Sequence, residues 1–229
     1  MKKVAILQSN YIPWKGYFDM IAAVDEFILF DDVQYTRRDW RNRNQIKTPQ
    51  GVKWLTVPVK VKGKYYQTIR ETEIDGATWA SSHWKIIVHN YSKAHHFQKY
   101  KELFESLYLG MKVKYLSEVN YKFLNVVCDI LGIKTKISQS MDYQSIEGKT
   151  DRLIGLCKQA GASDYLSGPA AKCYIDEDKF REAGIRLEYM DYSGYPEYSQ
   201  LFPPFEHAVS IVDLIFNEGP EATKFMKSF

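Results

Sequence analysis

The order of short segments over the first 30 residues is the strongest constraint on the fold. Residues 3–8 are apolar and β-branched, which is typical of a buried strand. After a polar loop, apolar residues recur at helical spacing over 17–24, and a second apolar run over 26–30 ends at two aspartates. Strand, helix and strand in so short a stretch predict a βαβ unit and therefore a parallel sheet.

Two interruptions follow before the chain returns to the same alternation. The first is a β insertion over 45–75, and the second is a helical segment over 78–132. The predicted elements are a hairpin at 45–47 and 52–59, a third inserted strand at 68–74, strands at 134–138, 164–167 and 186–189, and helices at 79–91, 95–108, 116–131, 150–160, 176–183, 210–217 and 221–227.

We therefore expect one α/β domain over 1–229, with a mostly parallel Rossmann-like sheet, a small antiparallel insertion and a helical block. Open parallel sheets bind ligands beyond the carboxyl ends of their strands. Those ends are predicted at 8–15, 31–44, 167–172 and 191–198, and all four segments are polar or aromatic. This agreement predicts an active cleft at that edge.

Composition narrows the function classes. The 17 tyrosines indicate either an aromatic ligand surface or a Tyr-rich core. A net charge of +3 is too small to argue for nucleic acid by itself. Cys128, Cys157 and Cys173 lack zinc-ligand spacing, so no metal ligand is predicted, and they suit a reducing compartment. Neither a signal-peptide core nor a membrane span is evident, which predicts a cytoplasmic protein.

The loop between the first strand and the first helix is the first candidate site. Backbone N–H groups at a helix start attract anions, and Lys15 adds positive charge there. The loop is not a phosphate-binding glycine loop. Nucleotidyltransferase-like folds carry His-x-Gly-His at this turn, where this chain has Trp14-Lys15-Gly16-Tyr17. The alternative is that Trp14 is simply a core residue that closes the loop.

The segment from Asp31 to Asn44 is the second candidate. Asp32 is a candidate proton acceptor, and Arg38 and Arg43 suit phosphate recognition. With Trp40, the basic stretch could also bind single-stranded nucleic acid through stacking. The alternative is a structural network of aspartates and arginines, or a solvated charged face.

A small-residue turn after the 164–167 strand is the third candidate. Ser167 and Gly168 would let a ligand approach the backbone, and Lys172 could meet a phosphate. A plain tight turn is the alternative. His83 lies on a predicted helix and either faces the cleft or is a satisfied core histidine.

Several of these segments, with others further along the chain, form recognisable motifs. They are Gln8 with Asn10-Tyr11-x-Pro13-Trp14-x-Gly16-Tyr17-Phe18, Asp31-Asp32-Val33-Gln34-Tyr35, Trp40-x-Asn42-Arg43-Asn44-x-Ile46-Lys47, Trp54-Leu55-Thr56-x-Pro58, Tyr165-Leu166-Ser167-Gly168, Tyr198-x-Gln200 and Ser210-x-x-Asp213. Together they resemble the WbqC-like protein family over nearly the whole chain. Where that family leads us to expect a proline, the chain has Ser9, which removes a rigid residue but no chemical group.

The resemblance implies a role in O-antigen or other surface-polysaccharide biosynthesis, with transfer of a glycyl, aminoacyl or other acyl group to an amino sugar or nucleotide-linked amino sugar. On that hypothesis Asp32, His83 and Lys15 are the candidate catalytic residues. The candidate substrate-binding residues are Gln8, Asn10, Tyr11, Trp14, Asp31, Gln34, Tyr35, Arg38, Trp40, Arg43, Asn44, Ser167, Gly168 and Lys172.

The resemblance leaves the co-substrates open. The acceptor is expected to be a nucleotide sugar or amino sugar, and the donor an aminoacyl group on tRNA or a carrier, with ATP or another activated acyl donor as the cofactor candidates. One alternative is an ATP-dependent amide ligase that forms an acyl-adenylate. Another is a non-catalytic nucleotide-sugar binding module. Mg²⁺ held by the paired aspartates remains an open option, and the oligomeric state is unknown.

Overall fold

The computed structural model describes residues 1–229 and contains a five-stranded sheet in which every pairing is parallel. The predicted parallel α/β sheet is therefore confirmed. Its strands lie in the order β5-β2-β1-β6-β7. The strands are β1 (Lys3–Leu7), β2 (Glu26–Leu29), β5 (Lys136–Gln139), β6 (Asp164–Ser167) and β7 (Arg186–Tyr189).

The chain reverses its direction of travel across the sheet at β1. The strands β2 and β5 lie on one side of β1, and β6 and β7 lie on the other. The boundary between β1 and β6 is thus the topological switch point, where open parallel sheets form a crevice at the carboxyl ends of the strands. Here those ends are Leu7 and Ser167.

Helices cover both faces of the sheet because successive strand side chains point to opposite faces. Ala5 belongs to the larger apolar core, whereas Val4 and Ile6 belong to a second core on the other face. The helices are α1 (Lys15–Ala22), α2 (Trp79–Tyr91), α3 (Phe97–Leu109), α4 (Leu116–Leu131), α5 (Lys149–Gln159), α6 (Glu177–Glu182) and α7 (Ile211–Glu218). The helices α1 to α4 and α7 supply the larger core, and α5 and α6 the second.

The inserted antiparallel sheet has two strands, β3 (Arg43–Thr48) and β4 (Gly51–Thr56). The predicted third strand at 68–74 is wrong. In that segment the Thr72 N–H donates to the Ile69 carbonyl at 3.1 Å, which forms a turn, and only isolated bridges at Thr68, Glu73 and Ile74 pair it with other segments. Its Glu71 carboxylate accepts from the Thr68 backbone N–H and hydroxyl, which favours a local turn over a ladder.

Two helix predictions also differ from the structure. The third helix begins at Phe97, because residues before it form a turn in which the His96 N–H donates to the Phe216 carbonyl of α7. The predicted helix at 221–227 is a run of tight 3-10 turns over Gly219–Phe225. Asp19 then fixes the following residues by accepting from the Lys227 and Ser228 N–H groups.

None of the helices combines the length and the apolar character that crossing a lipid bilayer requires.

Candidate functional site

A cleft of about 970 Å³ opens at the carboxyl edge of the sheet, at the switch point between β1 and β6. Its floor includes Leu7 and Gln8 from the end of β1, and Ser167 and Gly168 from the end of β6. Three of these four, Gln8, Ser167 and Gly168, are sequence-predicted binding residues, and the structure brings them together. The volume suits a ligand of nucleotide size.

One wall of the cleft is the start of α5, which the sequence analysis did not include in the site. Gly148 precedes the first helical turn with φ of +94°, and Lys149 and Arg152 follow it along the helix. The free N–H groups of a helix start carry partial positive charge, so they attract anions. The wall therefore joins a helix N-terminus with two cationic side chains.

Asp32 holds Arg152 in place at this wall. Its Oδ2 forms an ion pair with the Arg152 Nη2, and its Oδ1 accepts from the Ser140 hydroxyl at 2.5 Å. The Arg152 guanidinium also lies 4.7 Å from the centre of the Phe30 ring. Asp32 does not itself line the cleft, so this geometry makes it a partner of Arg152.

Arg41 supplies a third cationic side chain to the cleft. Its Nη1 donates to the Asn10 side chain, and its Nη2 lies 3.7 Å from the Asp39 carboxylate. The Arg41 carbonyl accepts from the Asn120 amide at 2.9 Å. These contacts tie residues 31–44, the Arg-rich segment, to the loop after β1 and to α4. The Arg41 guanidinium is therefore oriented before any ligand binds.

Ser9, found where a proline is expected, strengthens this loop. Its backbone N–H donates to Asp31 Oδ1 at 2.8 Å, which a proline could not do because it has no N–H. Its hydroxyl accepts from the Asn120 amide at 3.0 Å. Asp31 is fully buried, and burial raises the pKa of its carboxyl even though the bonds from Ser9 lower it. Asp31 is thus a loop anchor.

A second, smaller pocket of about 220 Å³ collects four other predicted binding residues. It is lined by Asn10, Trp14, Trp40 and Asn44, together with Pro13 and Ala208. Trp14 packs edge-on against the rings of Tyr192 and Tyr195, so it is both a packing residue and a pocket wall. The hydrogen bond between Arg41 and Asn10 joins a cleft residue to a residue of this pocket.

Four predicted binding residues of the 31–44 segment lie outside both pockets: Gln34, Tyr35, Arg38 and Arg43. Gln34 donates to the Tyr65 carbonyl at 2.9 Å, and Tyr35 is buried in the larger core. Arg38 is exposed with φ of +57°, and its carbonyl accepts from Arg43. The Arg43 guanidinium lies over the Trp54 ring at 4.2 Å.

His83 and Tyr11 lie away from the cleft, inside the larger core. The Tyr11 hydroxyl is 2.9 Å from His83 Nδ1 and 2.9 Å from the Tyr108 hydroxyl. Burial lowers the pKa of His83 to about 4, against a smaller raising effect of the Thr56 backbone. His83 is therefore neutral at pH 7 and contacts no cleft residue among its hydrogen-bond partners.

Lys15 is also buried, at the start of α1. Its Nζ donates to the Pro196 carbonyl at 2.9 Å and lies 5.0 and 5.3 Å from the ring centres of Tyr195 and Tyr198. Burial lowers the pKa of Lys15 to about 8, opposed by the charge of Asp19. The aromatic rings enclose this ammonium and separate it from the cleft lining.

Lys172 is exposed beside the cleft, with its Nζ 4.9 Å from the Tyr189 ring. Among the cleft residues that were not predicted from the sequence are Arg41, Lys149, Arg152 and Tyr174. The run Gly148-Lys149-Thr150, in which a glycine and a lysine open a helix that follows a strand, is a local signal for the α5 start but does not indicate where α5 lies in the fold.

Comparisons with known proteins agree with the sequence resemblance. The model of the WbqC-like protein family matches residues 8–225. The chain is also 55% identical, over 227 residues, to the uncharacterized protein Rv1507c of Mycobacterium tuberculosis, and the match covers 99% of this chain and 98% of the relative. No solved structure matches the chain.

Proposed function

The chain belongs to the WbqC-like protein family, and on that premise we propose that it transfers an acyl group, such as a glycyl or other aminoacyl group, to the amine of a nucleotide-linked amino sugar. The pathway that we propose is the biosynthesis of a surface polysaccharide such as O-antigen. Cys128, Cys157 and Cys173 are all free thiols, which suits a cytoplasmic reaction.

The observation that supports this proposal is the set of cations around the cleft. The cleft is lined by Arg41 from the Arg-rich segment and by Lys149 and Arg152 from α5. The α5 N-terminus adds backbone N–H groups. Two arginines and a helix start are the groups that bind a diphosphate most strongly. The switch point is also where parallel sheets bind nucleotides.

The smaller pocket suits the sugar of the same ligand. Its mixture of tryptophan rings with the amides of Asn10 and Asn44 can stack on a sugar face and bond its hydroxyls. Because Arg41 lines the cleft and bonds to Asn10, a diphosphate at Arg41 would place the nucleotide on one side and the sugar on the other.

In the reaction, the amine nitrogen of the sugar attacks the carbonyl carbon of the acyl donor. A C–N bond forms, the bond between that carbon and the leaving group breaks, and the leaving group takes up the proton that the amine releases. We propose that Asp32 acts by positioning Arg152 at the phosphates, since both Asp32 oxygens are engaged in hydrogen bonds. His83 and Lys15, which are buried elsewhere, are not included in the reacting set.

The test is a thermal-shift screen of the protein against nucleotide sugars, followed by mass spectrometry of reactions that contain acyl donors. A rise in melting temperature with one nucleotide sugar is expected in the wild type and is expected to be lost in Lys149→Gln. Lys158→Gln removes an exposed charge at the other end of α5 and should retain the shift. Absence of a shift with every nucleotide sugar would contradict the proposal.

The same reactions separate the other two functions. Pyrophosphate release that requires ATP and one amino acid would show that the protein is an adenylate-forming ligase and not a transferase. A shift with one nucleotide sugar but no new product with any donor would replace it with a binding module.

A further inference from the structure

The charge of the chain is concentrated in one segment. Residues 34–66 contain nine lysines and arginines against the single Asp39, a formal charge of +8 that leaves −5 for the rest of a chain whose total is +3. Residues 34–66 therefore form a strongly basic lobe, although the net charge of the whole chain is small. Such a lobe attracts polyanions through its local field.

Five of these nine cations remain when those with a carboxylate partner and the buried Lys47 are set aside. Lys60 and Lys64 pair with Glu73, Lys47 is buried against the Pro204 carbonyl, and Arg41 lies in the cleft. The five that remain are outside every ion pair in the structure; they are Arg37, Arg38, Arg43, Lys53 and Lys62.

Exposed aromatic rings lie among these cations. Trp40 and Trp54 stand 5.3 Å apart between ring centres, and their side chains remain 42% and 39% exposed. Tyr65 and Tyr66 are 70% and 84% exposed. The loop that carries the tyrosines is tied to the same lobe, because Gln34 donates to the Tyr65 carbonyl. Large aromatic side chains so exposed are unusual unless a partner covers them.

We propose that this basic aromatic face, formed by the five unpaired cations with Trp40, Trp54, Tyr65 and Tyr66, binds single-stranded RNA. Cations along a groove neutralise phosphates, and unpaired bases stack on tryptophan and tyrosine rings. The Arg43 guanidinium lies over the Trp54 ring at 4.2 Å and adds positive charge beside the stacked rings. A duplex, whose bases are already stacked, cannot use these rings.

The position of the face links it to the proposed reaction. Trp40 belongs both to the face and to the smaller pocket, so a strand end bound on the face would reach the amino sugar. This step rests on the proposed function: the acyl donor is an ester on the terminal ribose of an RNA. The sugar amine then displaces the ribose oxygen, which leaves with the proton of the amine, and no oxidant or reductant is needed.

Fluorescence anisotropy with a labelled single-stranded RNA of about 12 nucleotides tests the inference. Trp54→Ala should weaken binding at least about five-fold, the effect of losing one stacked base. Arg37→Gln/Lys53→Gln should reduce the magnitude of the log–log salt slope by about 1.4, because each phosphate contact on a single strand contributes about 0.7. The matched control, Lys122→Gln/Lys158→Gln, removes two exposed charges from α4 and α5 and should leave the slope unchanged.

Three outcomes would overturn the inference: no RNA binding at low salt, equal affinity for duplex and single strand, or a salt slope that the Arg37 and Lys53 substitutions do not change. Stronger binding to vesicles of anionic phospholipid than to RNA would assign the face to a membrane surface instead. Thermal shifts with nucleotide sugars, measured on the same variants, report the cleft separately. No RNA binding by the wild-type protein, together with an intact shift, would therefore be a failure of this inference and not of the proposed function.

Discussion

Arg152 of α5 and Asp32 of the loop after β2 form an ion pair, and the pair holds the guanidinium at the wall of the cleft. The two residues are 120 positions apart in the chain, so the pair joins α5 to the loop after β2. A cation whose position is fixed in this way does not lose side-chain freedom when an anion binds.

The first prediction concerns Asp32→Asn. The substitution removes the charge that orients Arg152, so we expect about a tenfold weaker affinity for the nucleotide sugar with kcat changed by less than about threefold. Asp129→Asn, on the exposed face of α4, is the control. A large fall in kcat, with loss of the acid limb of its pH profile, would instead make Asp32 the proton acceptor.

The second prediction concerns Gly148→Ala at the start of α5. Gly148 has φ of +94°, and an added Cβ would lie 2.8 Å from Asp151 Oδ2. We expect a loss of about 1–2 kcal/mol in the free energy of unfolding, because a positive φ strains alanine, and a weaker thermal shift with the nucleotide sugar, because the Asp151 side chain in the first turn of α5 must shift. Gly132→Ala, at a positive φ with open space, should cost stability and keep the shift. Equal shifts in both variants would remove the α5 start from the site.

The third prediction concerns the pH dependence of stability at His83. The unfolded chain binds a proton there near pH 6.5, whereas burial keeps the folded His83 neutral down to about pH 4. The free energy of unfolding should therefore fall by roughly 3 kcal/mol as the pH is lowered through this window. Urea denaturation should show a flatter profile between pH 6.5 and 4 for His83→Gln, and parallel profiles would contradict the assignment.

The fourth prediction concerns Glu26, at the opposite edge of the sheet from the cleft. Although burial raises the pKa of this carboxyl, hydrogen bonds from Lys2, Tyr143 and Ser138 lower it to about 2. Its stabilising effect is complete above about pH 4.5 and is lost as the pH falls towards 2, so Glu26→Gln should cost roughly 3 kcal/mol at pH 7 and little at pH 2. The thermal shift with the nucleotide sugar should survive at pH 7. Its loss would show that the two edges of the sheet are coupled.

The sequence predicted the parts of the site that depend on strand ends. Gln8 and Ser167 lie where a parallel sheet must place them, because apolar runs mark the strands and their carboxyl ends share one edge. The sequence could not identify Arg152. The position of α5 above that edge depends on how the chain crosses from β5, past β1, to β6. Tertiary packing decides that crossover, and no local sequence pattern indicates it.

Burial explains the other differences. Lys15 and His83 carry groups that are usually exposed or catalytic, and nothing in their neighbours reveals that aromatic rings enclose them. The segment from Thr68 to Ile74 alternates as a strand does, but the Glu71 side chain satisfies the Thr68 backbone N–H locally. In each case a contact made at long range, or a side chain that competes with the ladder, decided the outcome.

The strand order has a consequence for synthesis on the ribosome. β1 is synthesised early, but one of its two edges pairs with β6, where Lys3 lies opposite Asp164. That edge of β1 stays uncovered until β6 has been synthesised. Until then the nascent chain exposes an apolar strand edge, which is a template for wrong pairing. The cleft cannot exist before that closure, because it is formed by the ends of these two strands. A ribosome stalled between the helical block and β6 would therefore hold a chain whose larger core still lacks α7 and which has no ligand site.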